Sequence, residues 1–365
     1  MSFTLSDELQ MLRDTLRPFL AGVRPQPDDP IWRALADDLQ LLSLALPPER
    51  GGLAEARTAC MLIMEELGTA RIGVPFLEVV IVAGGLLRRA DGAASRAALD
   101  ALAAGKLRVV LAASAARGDF EIDVTASQEE GGWRLAGAAR LVAAAASADR
   151  FIVPARIAGD PAALGLFLVE AQAPGIAITS FPTIDGRTLA DIVFDGPFLS
   201  ESACIAHGED ARRSLALARD EALAGLAAEA VGLLGRLYGD TVAYLKQREQ
   251  FGQPLARFQV VQHRVADMYM AMNDAISASR LATLQLGADE AERARACAAA
   301  KVVVNDALRF VGQNAVQLHG GMGMTDELEL SRYFRRATVI EREAGDTYSH
   351  LRRHAGLDAA SPAAG

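Results

Sequence analysis

The sequence predicts an α+β protein in three regions: helices, a small β domain, then a long helical bundle. Apolar residues recur every three or four positions as far as about Ala104, at every second position from about Leu107, and every three or four again after about Asp210. The expected domains are therefore 1–106, 107–205 and 206–356, followed by a disordered tail at 357–365. A chain of 365 residues is too long for one small core and suits two or three domains sharing an interface.

In the first region Leu5, Leu9, Leu12, Leu16 and Leu20 mark one buried stripe, with Ser6 as cap before Asp7 and Glu8. Helices are also expected over 32–44 and 58–67, parted by LPPERGG (46–52), whose prolines and glycines stop a helix. In FEIDVTAS, Phe120, Ile122 and Val124 alternate with acidic or polar residues, the strand pattern. Gly131-Gly132 before WRLAGAARLV signals a hairpin, and RFIVPARI, LGLFLVEA and ADIVFDG read as further short strands. The alanine- and leucine-rich segments 211–247, 255–286 and 289–318 are long enough for an antiparallel bundle.

Composition narrows the function. With 51% apolar and 23% charged residues the chain is globular, and 5% aromatics with abundant alanine point to closely packed helices. A net charge of -9 opposes phosphate backbones and anionic lipid, so nucleic acid and membrane are excluded as partners and an anionic ligand needs a local basic site. Cys60, Cys204 and Cys297 are isolated, without metal or dithiol spacing, which fits a reducing cytoplasm. The start, MSFTLSDELQ, is unlike a signal peptide, and VPFLEVVIVAGGLL is shorter than the roughly 20 apolar residues a membrane span needs.

Three segments, LPPERGG, REQFGQPLARFQVVQHRVADM (248–268) and QLHGGMGM (317–324), together resemble the acyl-CoA dehydrogenase family in order and spacing. The resemblance covers nearly the whole chain and implies a middle β-barrel-like domain, a C-terminal four-helix bundle and an FAD shared across a subunit interface. It implies that Arg248 meets the pyrophosphate, whose oxygens suit a planar guanidinium, with Phe251 packed beside it and Gln259 a further cofactor contact. Gln317, Gly320 and Gly321 match the family's Gln-x-x-Gly-Gly turn, where missing side chains admit the adenosine half. The bland alternatives are a surface ion pair for Arg248 and a plain helix stop for the glycines. His319 and His263 have no ligand set around them in the sequence and are taken as structural, and LPPERGG as turn geometry.

The same resemblance exposes what is missing. The family's base precedes glycine in Glu-Gly-Thr, and an ungapped count from Gln317 puts Ala344 and Asp346 at its first and third positions. Alanine keeps the backbone N–H that can face the thioester oxyanion but has no group to accept the α proton. Glu343 and Glu341 stand one and three residues off and are expected to be solvated charges. In relatives that place the base before Arg-x-x-Phe-Gly the position is Ala222, leaving Glu221, with Glu229, as a reserve base. The family's flavin and substrate loop falls in LAASAARGD (111–119), and its Trp-Ile-Thr reads Leu141-Val142-Ala143.

The half-site for pyrophosphate and adenine is thus legible, and the half-site for flavin ring, substrate and base is not. The resemblance then implies the non-base subunit of a heterotetrameric acyl-CoA dehydrogenase, whose homologous partner carries the glutamate, with bulky acyl-CoA such as a steroid side chain as substrate and an electron-transfer flavoprotein-like acceptor. The alternatives are a homotetramer with a relocated base and a non-enzymatic acyl-CoA or protein-binding scaffold.

Overall fold

The computed structural model describes residues 5–23, 29–325 and 327–360. The chain opens with α1 (Asp7–Gly22), where the Ser6 hydroxyl accepts from the Leu9 N–H and Leu9, Leu16 and Leu20 are buried. After α2 (Asp29–Arg33), a π-helical turn at Ala34–Asp38 and a 3-10 turn at Leu41–Ala45 replace the single helix expected over 32–44. Gln40, at φ +51, breaks the run between them. α3 (Ala56–Ala70), a π-helical stretch at Leu77–Ala83, α4 (Gly84–Arg89) and α5 (Ala93–Ala103) complete the helical region.

The strands follow as β1 (Val109–Leu111), β2 (Thr125–Glu129), β3 (Gly132–Ala143), β4 (Arg150–Ile157), β5 (Asp160–Glu170), β6 (Ile176–Pro182), β7 (Thr188–Ser200) and β8 (Cys204–His207). They form one sheet in the order β6-β7-β3-β2-β4-β5-β8, with β1 also on β4. The β2–β3 hairpin turns at Glu130-Gly131, with Gly131 at φ +78, as the double glycine predicts. FEIDVTAS departs from expectation: pairing starts only at Thr125, and of the three apolar residues Val124 alone is buried. Cα of Gly137 presses on this segment, so that a Cβ there would lie 2.3 Å from the Asp123 carbonyl oxygen. The barrel-like middle domain is instead an open sheet, since no described pairing joins β6 to β8. Closure needs edge strands matched in length and tilt, and β8 has four residues.

The last region is α6 (Gly208–Gln247), a small hairpin β9 (Glu249–Gln250) and β10 (Gln253–Pro254), α7 (Gln259–Gln285), α8 (Glu290–His319), α9 (Glu329–Ile340) and α10 (Thr347–Ala360). α6 to α9 share one core, built on Leu233 and Leu237, Met268, Leu308 and Tyr333, and α10 lies along α8. The last helix reaches Ala360, and 361–365, the end of the expected tail, lie outside the described residues.

The chain divides into two compact units, which cut across the three regions of sequence period. One comprises Met1–Val23, Met61–Ile72 and Leu223–Gly365; the other comprises Arg24–Cys60 and Gly73–Ala222. Within the first, α3 and α6 meet backbone to backbone: a Cβ at Gly68 would lie 2.1 Å from the Glu229 carbonyl oxygen, and one at Gly232 2.0 Å from that of Glu65. No side chain fits at either crossing, which is why α3 joins the bundle despite its distance in sequence.

Candidate functional site

Two aromatic contacts gather the residues that the sequence singles out between 248 and 321. Beyond the end of α6, the Arg248 N–H donates to the Tyr244 carbonyl and the Arg248 carbonyl accepts from Leu255 N–H, both at 2.8 Å. Inside this closure sits the β9–β10 hairpin. Its tip residues Phe251 and Gly252 have φ of +53 and +78, the left-handed pair that a type I′ turn requires. Phe251 is 91% exposed and lies edge-on to Phe258, with ring centroids 6.1 Å apart, beside Gln259 at the start of α7. A bulky residue held left-handed costs about 1–2 kcal/mol, and the exposed ring gains little packing in return.

Gly320 ends α8 at φ +63 and ψ -144, a conformation that only glycine adopts freely. A Cβ added at Gly320 or Gly321 would meet nothing within 4 Å, so the turn is an open shelf of backbone, with Gln317 exposed one turn earlier. The His319 ring stacks on Tyr244 with centroids 4.3 Å apart and 24° between planes. The structure therefore brings Arg248, Phe251 and Gln259 to the same end of the bundle as Gln317, Gly320 and Gly321. Arg248 is exposed and, among the described residues, pairs with no carboxylate. Most of the arginines discussed below are committed to one. His263 is exposed on α7.

The turn that carries Ala344 is held from several sides. Lys301 Nζ donates to the Ile340 carbonyl at 2.6 Å and to Asn305 Oδ1 at 2.8 Å, and Asn305 Nδ2 donates to the Glu341 carbonyl at 3.2 Å. The His350 ring Nε2 lies 2.7 Å from the Ala344 carbonyl oxygen. Asp346 caps α10, accepting from the Ser349 N–H at 2.8 Å and its hydroxyl at 2.7 Å. These bonds, the backbone one first, hold the Asp346 carboxyl below its ordinary pKa. Burial pushes Lys301 down to about 7. Ala344 itself sits at φ +55, packed on the apolar cluster of Leu223, Ala224, Ala282, Leu286, Cys297 and Ala300. Ala344 thus supplies a methyl contact, and Asp346, two residues on, a helix cap.

Each carboxylate that the sequence offers as an alternative base is engaged. Glu229 and Arg336 form a bidentate pair at 2.8 and 2.7 Å, both side chains 3% exposed, and the third guanidinium nitrogen holds Glu343 at 2.8 Å. Glu341 takes Arg309 at 3.0 Å. Glu341 and Glu343 are thus ion-paired and part-buried, contrary to the expected solvated charges, because α8 and α9 present arginines to the turn. Glu221 is buried with Arg89 3.0 Å from both its oxygens and Arg88 at 3.9 Å. Each of these carboxylates accepts from a guanidinium. Burial raises the Cys60 thiol to about 12, so it stays protonated and unreactive.

In the sheet unit, Leu141 lies at φ +53 in a break of the β3–β7 register, its N–H donating to Asp191 at 2.9 Å, while Val142 is buried. The 111–119 stretch leaves β1 as an irregular loop, tied at its end by Arg219 to Asp119 at 2.7 Å. Residues 141–143 offer neither an aromatic face nor a side-chain hydroxyl. Sequence reasoning does not single out Tyr244, Lys301, Asn305, Arg336 or His350. Their signals are slight: Tyr244 one turn before Arg248, and Lys301 with Asn305 four apart in an alanine-rich helix.

Helices, an open β sheet and a four-helix bundle whose turns carry Arg-x-x-Phe-Gly and Gln-x-x-Gly-Gly define an acyl-CoA dehydrogenase-like chain. Residues 219–355 match the family model for the acyl-CoA dehydrogenase C-terminal domain. Acyl-CoA dehydrogenase FadE27 of Mycobacterium tuberculosis (strain ATCC 25618 / H37Rv) is 28% identical over 348 residues, covering 89% of this chain and 87% of that one. The crystal structure of the ChsE4-ChsE5 complex from Mycobacterium tuberculosis contains a chain with TM-score 0.86 and 26% identity, each chain covered in full at 100%. A variant of the Tcur3481-Tcur3483 steroid ACAD gives TM-score 0.84 and 27% identity over 98% of this chain and 99% of its own. The C-terminal part of the chain thus matches the acyl-CoA dehydrogenase family model, and the chain as a whole is similar in sequence and fold to acyl-CoA dehydrogenases.

Proposed function

We propose that this chain is the non-base subunit of a heteromeric FAD-dependent acyl-CoA dehydrogenase, which introduces an α,β double bond into an acyl-CoA thioester once a homologous partner supplies the base. One observation carries the reading: Ala344 stands at the base position while Glu221, Glu229, Glu341 and Glu343 are all held by arginines. A positioned base contributes about 10²- to 10⁴-fold in rate, so a chain without one needs it from elsewhere.

The residues present fit FAD on the adenine side. Arg248, exposed and without a carboxylate among the described residues, would hold the pyrophosphate; the open shelf at Gly320 and Gly321 would admit the adenosine half, with Gln317 and Gln259 as hydrogen-bonding neighbours. Phe251 would exclude water beside the phosphates. When bound, FAD supplies the hydride acceptor for the dehydrogenation. On the flavin-ring side this chain offers Leu141, Val142 and Ala143, so that wall comes from the partner. Support for a partner also comes from the structural neighbours, one a two-protein complex and the other a steroid enzyme by name. Bulky acyl-CoA such as a steroid thioester is the substrate class this favours, with an electron-transfer flavoprotein-like acceptor. No helix among the described residues is long and apolar enough to cross a membrane, which agrees with a cytoplasmic enzyme.

The test is expression of the chain alone and together with the homologous chain that co-purifies with it, counting flavin per subunit. Flavin and acyl-CoA oxidation are expected only in the pair. A yellow, fully active chain on its own would establish the homotetramer with a relocated base, and a pair without flavin would establish a binding scaffold.

A further inference from the structure

We infer that Tyr244 and His319 form a positioning pair that sets the distance between the two arms of the dinucleotide half-site; the inference rests on the FAD reading above. Arg248 belongs to the arm that leaves α6, and Gln317, Gly320 and Gly321 to the arm that ends α8. Some seventy residues of chain separate these arms, so their spacing has to be set by a contact between them rather than by the backbone that links them. The joint is the stack of the His319 ring on Tyr244, at 4.3 Å and 24°.

Each ring is fixed to its own arm. Tyr244 lies one helical turn before Arg248, and its carbonyl accepts the Arg248 N–H at 2.8 Å, so the ring and the start of the arm move together. His319 is buried, directly precedes Gly320, and its Nδ1 lies 2.8 Å from the Ala315 carbonyl. A carbonyl oxygen can only accept, so Nδ1 carries the proton in this contact and the ring plane is locked to α8. A locked His319 ring in face contact with Tyr244 leaves the arms little freedom to slide apart. A ligand reaching from a phosphate at Arg248 to an adenosine at Gly320 requires that fixed span, since displacement of a binding group by about 1 Å is enough to weaken its contact severely.

Neither ring needs to touch the cofactor for this role, which separates it from that of Arg248. In the co-purified complex, Tyr244→Leu removes the stack and leaves Arg248 and the glycines in place. FAD affinity should fall about tenfold, the scale of a lost aromatic pair. Amide exchange over 317–321 should quicken in the same variant before any flavin is added. Tyr244→Phe keeps the ring and should restore both readouts. Should Tyr244→Leu fail to fold, His319→Gln, which keeps a donor for Ala315 but loses the ring, should give the same two changes.

Wild-type FAD affinity and unchanged exchange in either variant, with flavin still lost in Arg248→Ala, would overturn the positioning pair and leave the shared site standing. Full flavin retention in Arg248→Ala as well would overturn both.

Discussion

Ala344 shows what a single side chain decides. Its methyl faces Leu223, Ala224 and Cys297, so Ala344→Glu would carry a carboxylate into apolar surroundings rather than restore a base. Burying a polar group without a partner costs about 1–3 kcal/mol, and that loss should appear in urea denaturation, with no gain of dehydrogenase activity in the isolated chain. Arg336 is the opposite case: it serves two carboxylates at once, both within 2.8 Å. Arg336→Met would remove the bidentate partner of buried Glu229 and should destabilise by about 3–5 kcal/mol, while adding Glu229→Gln should recover much of it. Lys301 adds a pH signature. Burial lowers its pKa from 10.5 to about 7, so between those values the unfolded chain binds the extra proton and stability rises with pH. The folded state carries the full cost of the buried charge below about pH 7 and is relieved of it toward 10.5. Thermal melts across that window should rise more steeply for the wild type than for Lys301→Met.

At the scale of elements, local chemistry makes two turns of the bundle readable in the sequence itself. Phe-Gly between Glu249-Gln250 and Gln253-Pro254 becomes a type I′ hairpin because both tip residues turn left-handed, and the double glycine after His319 becomes a helix stop with an open backbone. Gly320→Ala tests this: its φ and ψ lie where other residues pay about 1–3 kcal/mol, so flavin retention in the complex should drop with only that modest loss of stability. Contacts made at long range are what sequence does not reveal. The arginines that hold Glu221, Glu229 and Glu341 come from other helices, and nothing in their spacing announces the pairing; only Arg336 and Glu343, seven residues apart, are near in sequence. The irregular start of β2 escapes for a similar reason, since Phe120 and Ile122 have strand period while the press of Gly137 on Asp123 decides the backbone.

For the whole molecule, the change of apolar period along the chain is enough for the α+β class, but the division into two units depends on pairings such as Gly68 with α6 that a period cannot reveal. Within the bundle unit, large apolar side chains remain exposed along α7 and the neighbouring turns: Val260, Tyr269, Met270, Leu281, Leu284 and Met324. Exposed apolar residues gathered on one element mark a surface that association would cover, and the net charge of -9 works against random aggregation in the meantime. If the chain is built to meet a homologous partner, a charge placed in that stripe should break assembly without touching the fold. Leu281→Glu lies on an exposed position, where substitutions shift stability by about 0.5 kcal/mol or less. Light scattering should then find the altered chain unable to form the mixed complex, with a melting temperature for the chain alone close to wild type, and flavin should be lost together with the complex. Full assembly in Leu281→Glu and in Met270→Glu would remove this stripe from the interface, and with it the physical reason to look for the missing wall of the site on another polypeptide at that face.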